Sequence, residues 1–93
     1  MIEIIGRPAM LEQMAEECSE LTQALLKEAR VLRGENPTPV TEEEAEAHIR
    51  EEWTDVMQCA NELDMASHID WEQMEAKTDR FFQRLQKAQV KLP

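Results

Sequence analysis

The sequence predicts an all-α protein. Glycine occurs only twice in 93 residues, and the chain is rich in Glu, Gln, Ala, Leu and Met, which favour helices. Apolar residues recur every three or four positions in three long segments, and no segment shows the alternation of a strand. We therefore predict an antiparallel helical bundle of three long helices that occupies a single domain, residues 1–93.

The first long helix is predicted to begin near Pro8, because proline is favoured at the first position of a helix. It runs to about Arg33 and ends at Gly34. The segment from Gly34 to Pro39 contains one glycine and two prolines, which cannot continue a helix. This segment is the clearest break in the chain.

The second helix is predicted to begin after Thr41. Glu44 follows Thr41 by three residues, and the two form a capping-box pattern. The helix extends to about Asp64. Ala47-His48 is a weak point, and a break there would give four helices instead of three.

The third helix is predicted to begin after Asp70, with Gln73 in the reciprocal capping position, and to run to about Gln89. The apolar stripes of the three helices are expected to form the core. They comprise Met10, Leu11, Met14, Cys18, Leu21, Leu25 and Leu32, then Ala45, Ile49, Trp53, Val56, Met57, Ala60 and Leu63, then Trp71, Met74, Thr78, Phe81, Phe82, Leu85 and Ala88.

The charge is strongly acidic and unevenly spread. The formal net charge is −10, which argues against a nucleic-acid partner because the phosphate backbone would be repelled. Residues 1–75 carry a net charge of −14, whereas residues 76–93 carry +4. An acidic body beside a basic last helix could hold metal ions and phosphates side by side. Ordinary solvated helix faces are the alternative explanation.

The chain length bears on self-association, and the cysteines and the lack of long apolar runs bear on the cellular location. A three-helix chain this short buries little apolar surface, so we expect it to associate with further copies of itself. It has no signal peptide and no apolar run long enough to cross a membrane, which predicts a cytoplasmic protein. Two cysteines without a CxxC pair give no zinc site. Cys18 and Cys59 are expected to be reduced core residues instead.

Four carboxylates have positions that surface residues do not usually take. At about 100° per residue, Glu17 falls inside the apolar arc of the first helix and Glu20 lies about 60° away, at its edge. The second helix repeats this arrangement, with Glu52 inside its arc and Asp55 at the edge. A carboxylate in an apolar arc is costly unless it is paired or bound to a cation.

The repeated arrangement predicts a metal site between the two helices. Converging carboxylates repel one another unless a cation lies between them, and carboxylate oxygens without His or Cys favour Mg²⁺ or Mn²⁺. A di-iron bundle would need Glu-x-x-His pairs, with a glutamate three residues before each histidine. In this chain Ala45 stands three residues before His48, and Met65 stands three residues before His68. His48 lies one turn before Glu52 and could touch the site, but we expect it to be a surface histidine. A solvated charge network is the alternative to a metal site.

Cations on the third helix lie beside its apolar stripe. Lys77 and Arg84 fall on one side of the stripe, with Arg80 just beyond them. If this flank packs against the carboxylates, the cations would reach phosphates bound to the metal. Cations that complement the helix dipole are the alternative.

These residues together resemble a known family. Glu16-Glu17-Cys18-Ser19-Glu20 is similar to the EExxE motif of the MazG-like all-α nucleoside triphosphate pyrophosphohydrolases, and Glu52-Trp53-Thr54-Asp55 is similar to their ExxD motif. Downstream, Lys77, Arg80 and Arg84 resemble the Lys-then-Arg pattern of the last helix of that family. The resemblance covers about residues 10–85. Thirty-one residues separate the two motifs, more than is usual in that family.

The resemblance implies a helical bundle completed by dimerisation, as a homodimer or a dimer of dimers. It implies Mg²⁺-dependent hydrolysis of a nucleoside triphosphate, NTP or dNTP, to the monophosphate and pyrophosphate. Under it the metal ligands and catalytic residues are Glu17, Glu20, Glu52 and Asp55, the phosphate-binding residues are Lys77, Arg80 and Arg84, and Glu16 is an outer-shell residue.

Two alternatives stay open. A dUTP- or phosphoribosyl-ATP-specific pyrophosphohydrolase of the same superfamily would use the same carboxylates. A non-catalytic helical interaction protein would have acidic faces that only keep it in solution. The sequence contains no GK[ST] phosphate loop and no Ser/His/Asp arrangement, so neither a P-loop ATPase nor an acyl transferase is indicated.

Overall fold

The computed structural model describes residues 1–37 and 39–88, and this part of the chain contains helices joined by short connections and no strand. A short helix α1 (Ile2–Ile5) precedes α2 (Arg7–Arg33), α3 (Glu42–Glu62), a single 3₁₀ turn (Ala66–His68) and α4 (Trp71–Lys87). The all-α class and the three long helices are confirmed. Helix α1 was not predicted from the sequence.

The predicted end of the first long helix is confirmed, because α2 ends at Gly34. Gly34 takes the left-handed conformation with φ of 72°, which glycine adopts without strain. Its N–H donates to the carbonyl of Val31, and the N–H of Glu35 donates to that of Arg30 at 2.9 Å. These two bonds form a Schellman motif, so the helix end needs no support from another part of the fold.

Both ends of α3 are also set locally. The N–H of Glu44 donates to the Thr41 hydroxyl at 3.1 Å, which confirms the predicted cap. The helix continues through Ala47-His48 without a break, so the four-helix alternative that depended on a break there is wrong. It ends two residues before the predicted Asp64, which itself takes a left-handed conformation with φ of 54°.

Asp70 caps α4, since its carboxylate accepts the N–H of Gln73 at 3.0 Å. The last helical residue is Lys87; Gln89, where the sequence places the end, lies outside the described residues.

Among residues 1–37 and 39–88 no helix is both long enough and apolar enough to cross a bilayer.

The core lies between α2 and α3, which pack against each other as a hairpin. Met10, near the start of α2, packs with Cys59 and Leu63 at the end of α3, so the two helices run antiparallel. Met10 is the one large side chain here that is fully buried, at 0% exposure. The other buried residues are Ala24, Ala45, Val56 and Ala60. Small residues at this interface let the helix backbones approach closely.

The N-terminal helix α1 closes one end of the hairpin. Ile2 and Met14 pack against the Met10 cluster. The carboxylate of Glu62 accepts the N–H of Ile2 and the N-terminal ammonium of Met1, each at 3.2 Å. The hydrogen bond from the Ile2 N–H, followed by the bond to the ammonium and its charge, lowers the pKa of Glu62.

The third long helix does not contribute to this core. No residue of α4 is buried, and Leu85 alone is half-buried. The radius of gyration is 17.5 Å, whereas a compact chain of this length has about 12 Å. Many residues of the predicted stripes are therefore exposed: Leu11, Cys18, Leu25, Leu32, Trp53, Trp71, Met74, Phe81 and Phe82. Helical periodicity identified their faces correctly as apolar, but one chain supplies nothing that covers them.

Replacement of Met10 tests whether the α2–α3 hairpin holds the fold. We expect Met10→Ala to lower the free energy of unfolding by about 2–5 kcal/mol, because a fully buried side chain of this size leaves a cavity. Urea denaturation followed by circular dichroism measures the difference. Leu32→Ala, at a residue that is 60% exposed, is the matched control. Equal losses in the two variants would contradict this account of the core.

Candidate metal centre

Helices α2 and α3 bring three of the four predicted carboxylates together. One oxygen each from Glu17, Glu20 and Glu52 lies within 4.8 Å of the other two. Glu17 and Glu52 are half-buried and Glu20 is exposed, which matches the inward and edge positions expected from the helix angles. Ligand oxygens around an octahedral Mg²⁺ lie about 3–4 Å apart, so small side-chain rotations would bring the three oxygens to that spacing.

Two of the carboxylate oxygens are buried without a hydrogen-bond donor. These are Oε2 of Glu17 and Oε2 of Glu52. Their companion oxygens have partners: Gln13 Nε2 donates to Glu17 Oε1 at 3.0 Å, and His48 Nε2 lies 3.2 Å from Glu52 Oε1. A buried carboxylate oxygen loses its hydration and needs a donor or a cation in return. The donor set therefore fits a hard divalent cation.

The pKa of Glu17 reflects the cost of placing carboxylates close together in a partly buried site. Desolvation raises its pKa above the ordinary value, and the negative charges of Glu20 and Asp55 raise it further. The hydrogen bond from Gln13 opposes this shift without cancelling it. Folding has thus placed like charges where both burial and mutual repulsion disfavour the ionised form, and a bound cation would remove both penalties.

Asp55, the fourth predicted ligand, lies outside the triangle of three oxygens. It is exposed, and its charge acts on Glu17 and on the buried thiol of Cys59. Desolvation, followed by the charges of Glu17 and Asp55, raises the pKa of the Cys59 thiol, so Cys59 stays protonated beneath the carboxylates. Glu16 is exposed on α2. Asp55 is thus at the border of the cluster, as its helix angle indicates.

Two further side chains contact the carboxylates. His48 is exposed, as expected for a surface histidine, and its ring also contacts Glu52 one turn later. Gln13 was not predicted, although it donates to Glu17. It lies four residues before Glu17, so the i, i+4 rule for neighbours on a helix could have identified it.

The predicted phosphate-binding cations are not brought to the carboxylates within one chain. Lys77, Arg80 and Arg84 are all exposed on α4, which does not pack against the hairpin. None of the three forms an ion pair with another residue in the described part of the chain. A second chain would be needed to place them beside the carboxylates.

A cleft next to the carboxylates is lined by cations that were not among the predicted site residues. It has a volume of about 320 Å³ and is lined by Gln23, Leu26, Lys27, Arg30 and His48. Helix α2 therefore presents carboxylates in its middle and cations towards its end, on the side that faces α3. A helical-wheel comparison of Lys27 and Arg30 with Glu20 would have shown that they share a flank.

Comparison with known proteins returned no relative. No family model, no curated protein and no solved structure matches this chain. What the site does must therefore be argued from its donor atoms, their burial and their charges.

Proposed function

We propose that this protein hydrolyses a nucleoside triphosphate to the monophosphate and pyrophosphate, with Mg²⁺ or Mn²⁺ as the cofactor. The observation that supports this most directly is the convergence of Glu17, Glu20 and Glu52, with two buried oxygens that have no donor. The motif resemblance to MazG-like enzymes supplies the substrate class and the bond that is cleaved. Both arguments concern the same glutamates, Glu17, Glu20 and Glu52.

The carboxylates would act as a rigid cradle on two packed helices. Glu17 and Glu52 supply inward oxygens, Glu20 closes the triangle and Asp55 adds charge at its border. Bound Mg²⁺ would supply a water nucleophile at neutral pH and would polarise the phosphoryl oxygens. Gln13 and His48 hold one oxygen of each inward carboxylate, which fixes its orientation before the substrate binds.

A second copy of the chain would complete this proposed enzyme. The apolar face of α4 is uncovered, with Trp71 69% and Phe81 57% exposed. Residues 76–87 of α4 carry four Lys/Arg and one Asp, whereas residues 1–75 carry −14, so this part of α4 is complementary in charge to the hairpin of another copy. Docking there would bring Lys77, Arg80 and Arg84 towards the phosphates. A homodimer or a dimer of dimers in the cytoplasm, where nucleotides are found, is part of the proposal.

The uncovered α4 face also favours a second candidate, a non-catalytic helical interaction protein. In that case α4 would dock on a different protein, and the carboxylates would bind no metal. The buried oxygens of Glu17 and Glu52 weigh against it, because a solvated acidic face would leave both oxygens in water. The three experiments below separate the two candidates.

The first prediction is that Mg²⁺ stabilises the protein. At ten times its dissociation constant, Mg²⁺ should add about 1.4 kcal/mol and raise the melting temperature by several degrees. Glu17→Gln should melt higher than the parent without metal, because a repelling charge is removed, and should lose the response to Mg²⁺. Differential scanning fluorimetry measures both, with Glu12→Gln, at an exposed position on α2, as the control. A parent protein that is indifferent to Mg²⁺ and Mn²⁺ would remove the metal from the proposal.

The second prediction concerns turnover. Glu52→Gln should reduce pyrophosphate release below about one hundredth of the parent rate, because loss of a direct ligand costs at least as much as loss of a residue that orients one. The assay is a screen of canonical and modified NTPs with Mg²⁺ that scores pyrophosphate against orthophosphate. The neighbouring exposed carboxylate provides a matched control, Glu51→Gln, which should retain the parent rate. Orthophosphate as the sole initial product would mean that another bond is cleaved.

The third prediction is that α4 holds two copies together. Phe81→Ser should weaken self-association by about tenfold or more, because burial of a phenylalanine contributes about 1.5–3 kcal/mol. Sedimentation velocity at several concentrations distinguishes the 10.8 kDa chain from its multiples. Gln83→Ser, on the opposite face of α4, should associate like the parent. A parent that sediments as a single chain at every concentration would refute this part of the proposal.

A further inference from the structure

The cleft beside the carboxylates has the composition of an anion site. Its volume of about 320 Å³ is at the lower end of the range for small-ligand pockets. Lys27 and Arg30 provide positive charge, Gln23 and His48 provide polar side chains, and Leu26 forms an apolar wall. The cleft contains no carboxylate, although the protein has a net charge of −10.

Within the described residues, the two cations of the cleft have no acidic partner. Arg33 and Arg50, elsewhere on the hairpin, each form an ion pair with a nearby glutamate, at 3.9 and 2.7 Å. Lys27 and Arg30 form no ion pair among residues 1–37 and 39–88, although Lys27 is half-buried. Lys27 and Arg30 are thus two neighbouring cations that line one cleft of an acidic protein, and both are available to an anionic ligand.

Three residues that line the cleft lie on the same flank of α2 as Glu20. Gln23, Lys27 and Arg30 follow Glu20 by three, seven and ten residues, which places all of them within about 80° of Glu20 on the helix surface. Lys27 is about 10 Å further along the helix axis than Glu20. One flank of α2 thus passes from a carboxylate to an amide and then to two cations.

Helix α3 joins the same two regions through His48. The His48 ring lines the cleft and also lies 3.2 Å from Oε1 of Glu52. A ligand that fills the cleft would therefore contact the same imidazole ring that touches Glu52.

We propose that this cleft is the subsite for the phosphate chain of the substrate, and in particular for the pyrophosphate portion that leaves. This assignment rests on the proposed pyrophosphohydrolase function for the identity of the ligand. Arg30 would bind phosphate oxygens in a bidentate manner, Lys27 would add a compact positive charge and the Gln23 amide would donate a hydrogen bond. The subsite belongs to the same chain as the carboxylates, in contrast to the cations of α4, which require a second copy.

An oligophosphate fits this surface better than other anions do. The cations occupy one short stretch bounded by the acidic face of the hairpin, so a long polyanion such as nucleic acid would be repelled on leaving the cleft. A single carboxylate ligand carries one negative charge and would neutralise only one of the two cations. A short phosphate chain carries several charges within a few bonds, so it can bind Lys27 and Arg30 at the same time.

The test compares pyrophosphate binding by two variants of equal charge. The first is Lys27→Gln with Arg30→Gln, and the matched control is Arg33→Gln with Arg50→Gln, which removes two exposed cations outside the cleft. Isothermal titration calorimetry with inorganic pyrophosphate and saturating Mg²⁺ gives the affinity of each. We expect the first variant to bind at least about tenfold more weakly than the parent, because each lost charge-assisted contact costs about one decade or more. The control should stay within about twofold of the parent.

Two further readouts separate failure of this subsite from failure of the proposed function. The Mg²⁺-induced rise in melting temperature should be the same in the first variant as in the parent, since its carboxylates are intact. Pyrophosphate affinity within about twofold of the control, in a parent that does hydrolyse NTPs, would overturn the subsite and leave the function standing. A parent that hydrolyses no NTP but binds pyrophosphate through Lys27 and Arg30 would overturn the function and leave the subsite standing.

Discussion

The placement of Glu17 opposite Glu52 across the α2–α3 interface is the constraint on which the rest of this structure depends. Small buried residues such as Ala24 and Ala60 let the two helices approach closely, and this packing desolvates the carboxylates that face inward. The chain offers one donor to each, Gln13 and His48, and leaves the second oxygen of each without one. Apolar packing therefore disfavours the ionised form of these carboxylates, and a cation bound between them would offset this cost.

The small core has a second consequence. One large side chain is fully buried in the described residues, and the remainder of the core consists mostly of alanine, valine, cysteine and leucine. Such a hairpin has little apolar burial with which to offset the entropy of folding. The apolar face of α4 could add to this burial, and it is exposed. If another copy covers this face, stability and the assembly of a catalytic site would be coupled, because the same contact would bury Phe81 and position Lys77.

The helix limits could be predicted from the sequence because they depend on local signals. Gly34, Thr41 and Asp70 end or begin helices through hydrogen bonds to residues at most four positions away. The pairing of the carboxylates could also be predicted, because a helix angle and an apolar arc together fix which side chains meet between two packed helices. The position of α4 could not be predicted. Periodicity shows that a face is apolar, but it does not show whether the same chain or another one covers that face.

The cleft was missed for a different reason. Lys27 and Arg30 look like ordinary cations near a helix C-terminus, where they complement the dipole. Their significance depends on what α3 places opposite them, namely His48 and no carboxylate, and helix pairing is not visible in one segment. Once both helices are considered, carboxylate oxygens lie at one end of the site and cations lie at the other. A ligand that suits both ends must itself carry several negative charges in a row, with one part bound to a metal and the next part bound directly to the protein. This directional demand distinguishes a phosphate-chain site from a simple acidic cluster, which would bind a metal ion and have no preference for what lies beyond it.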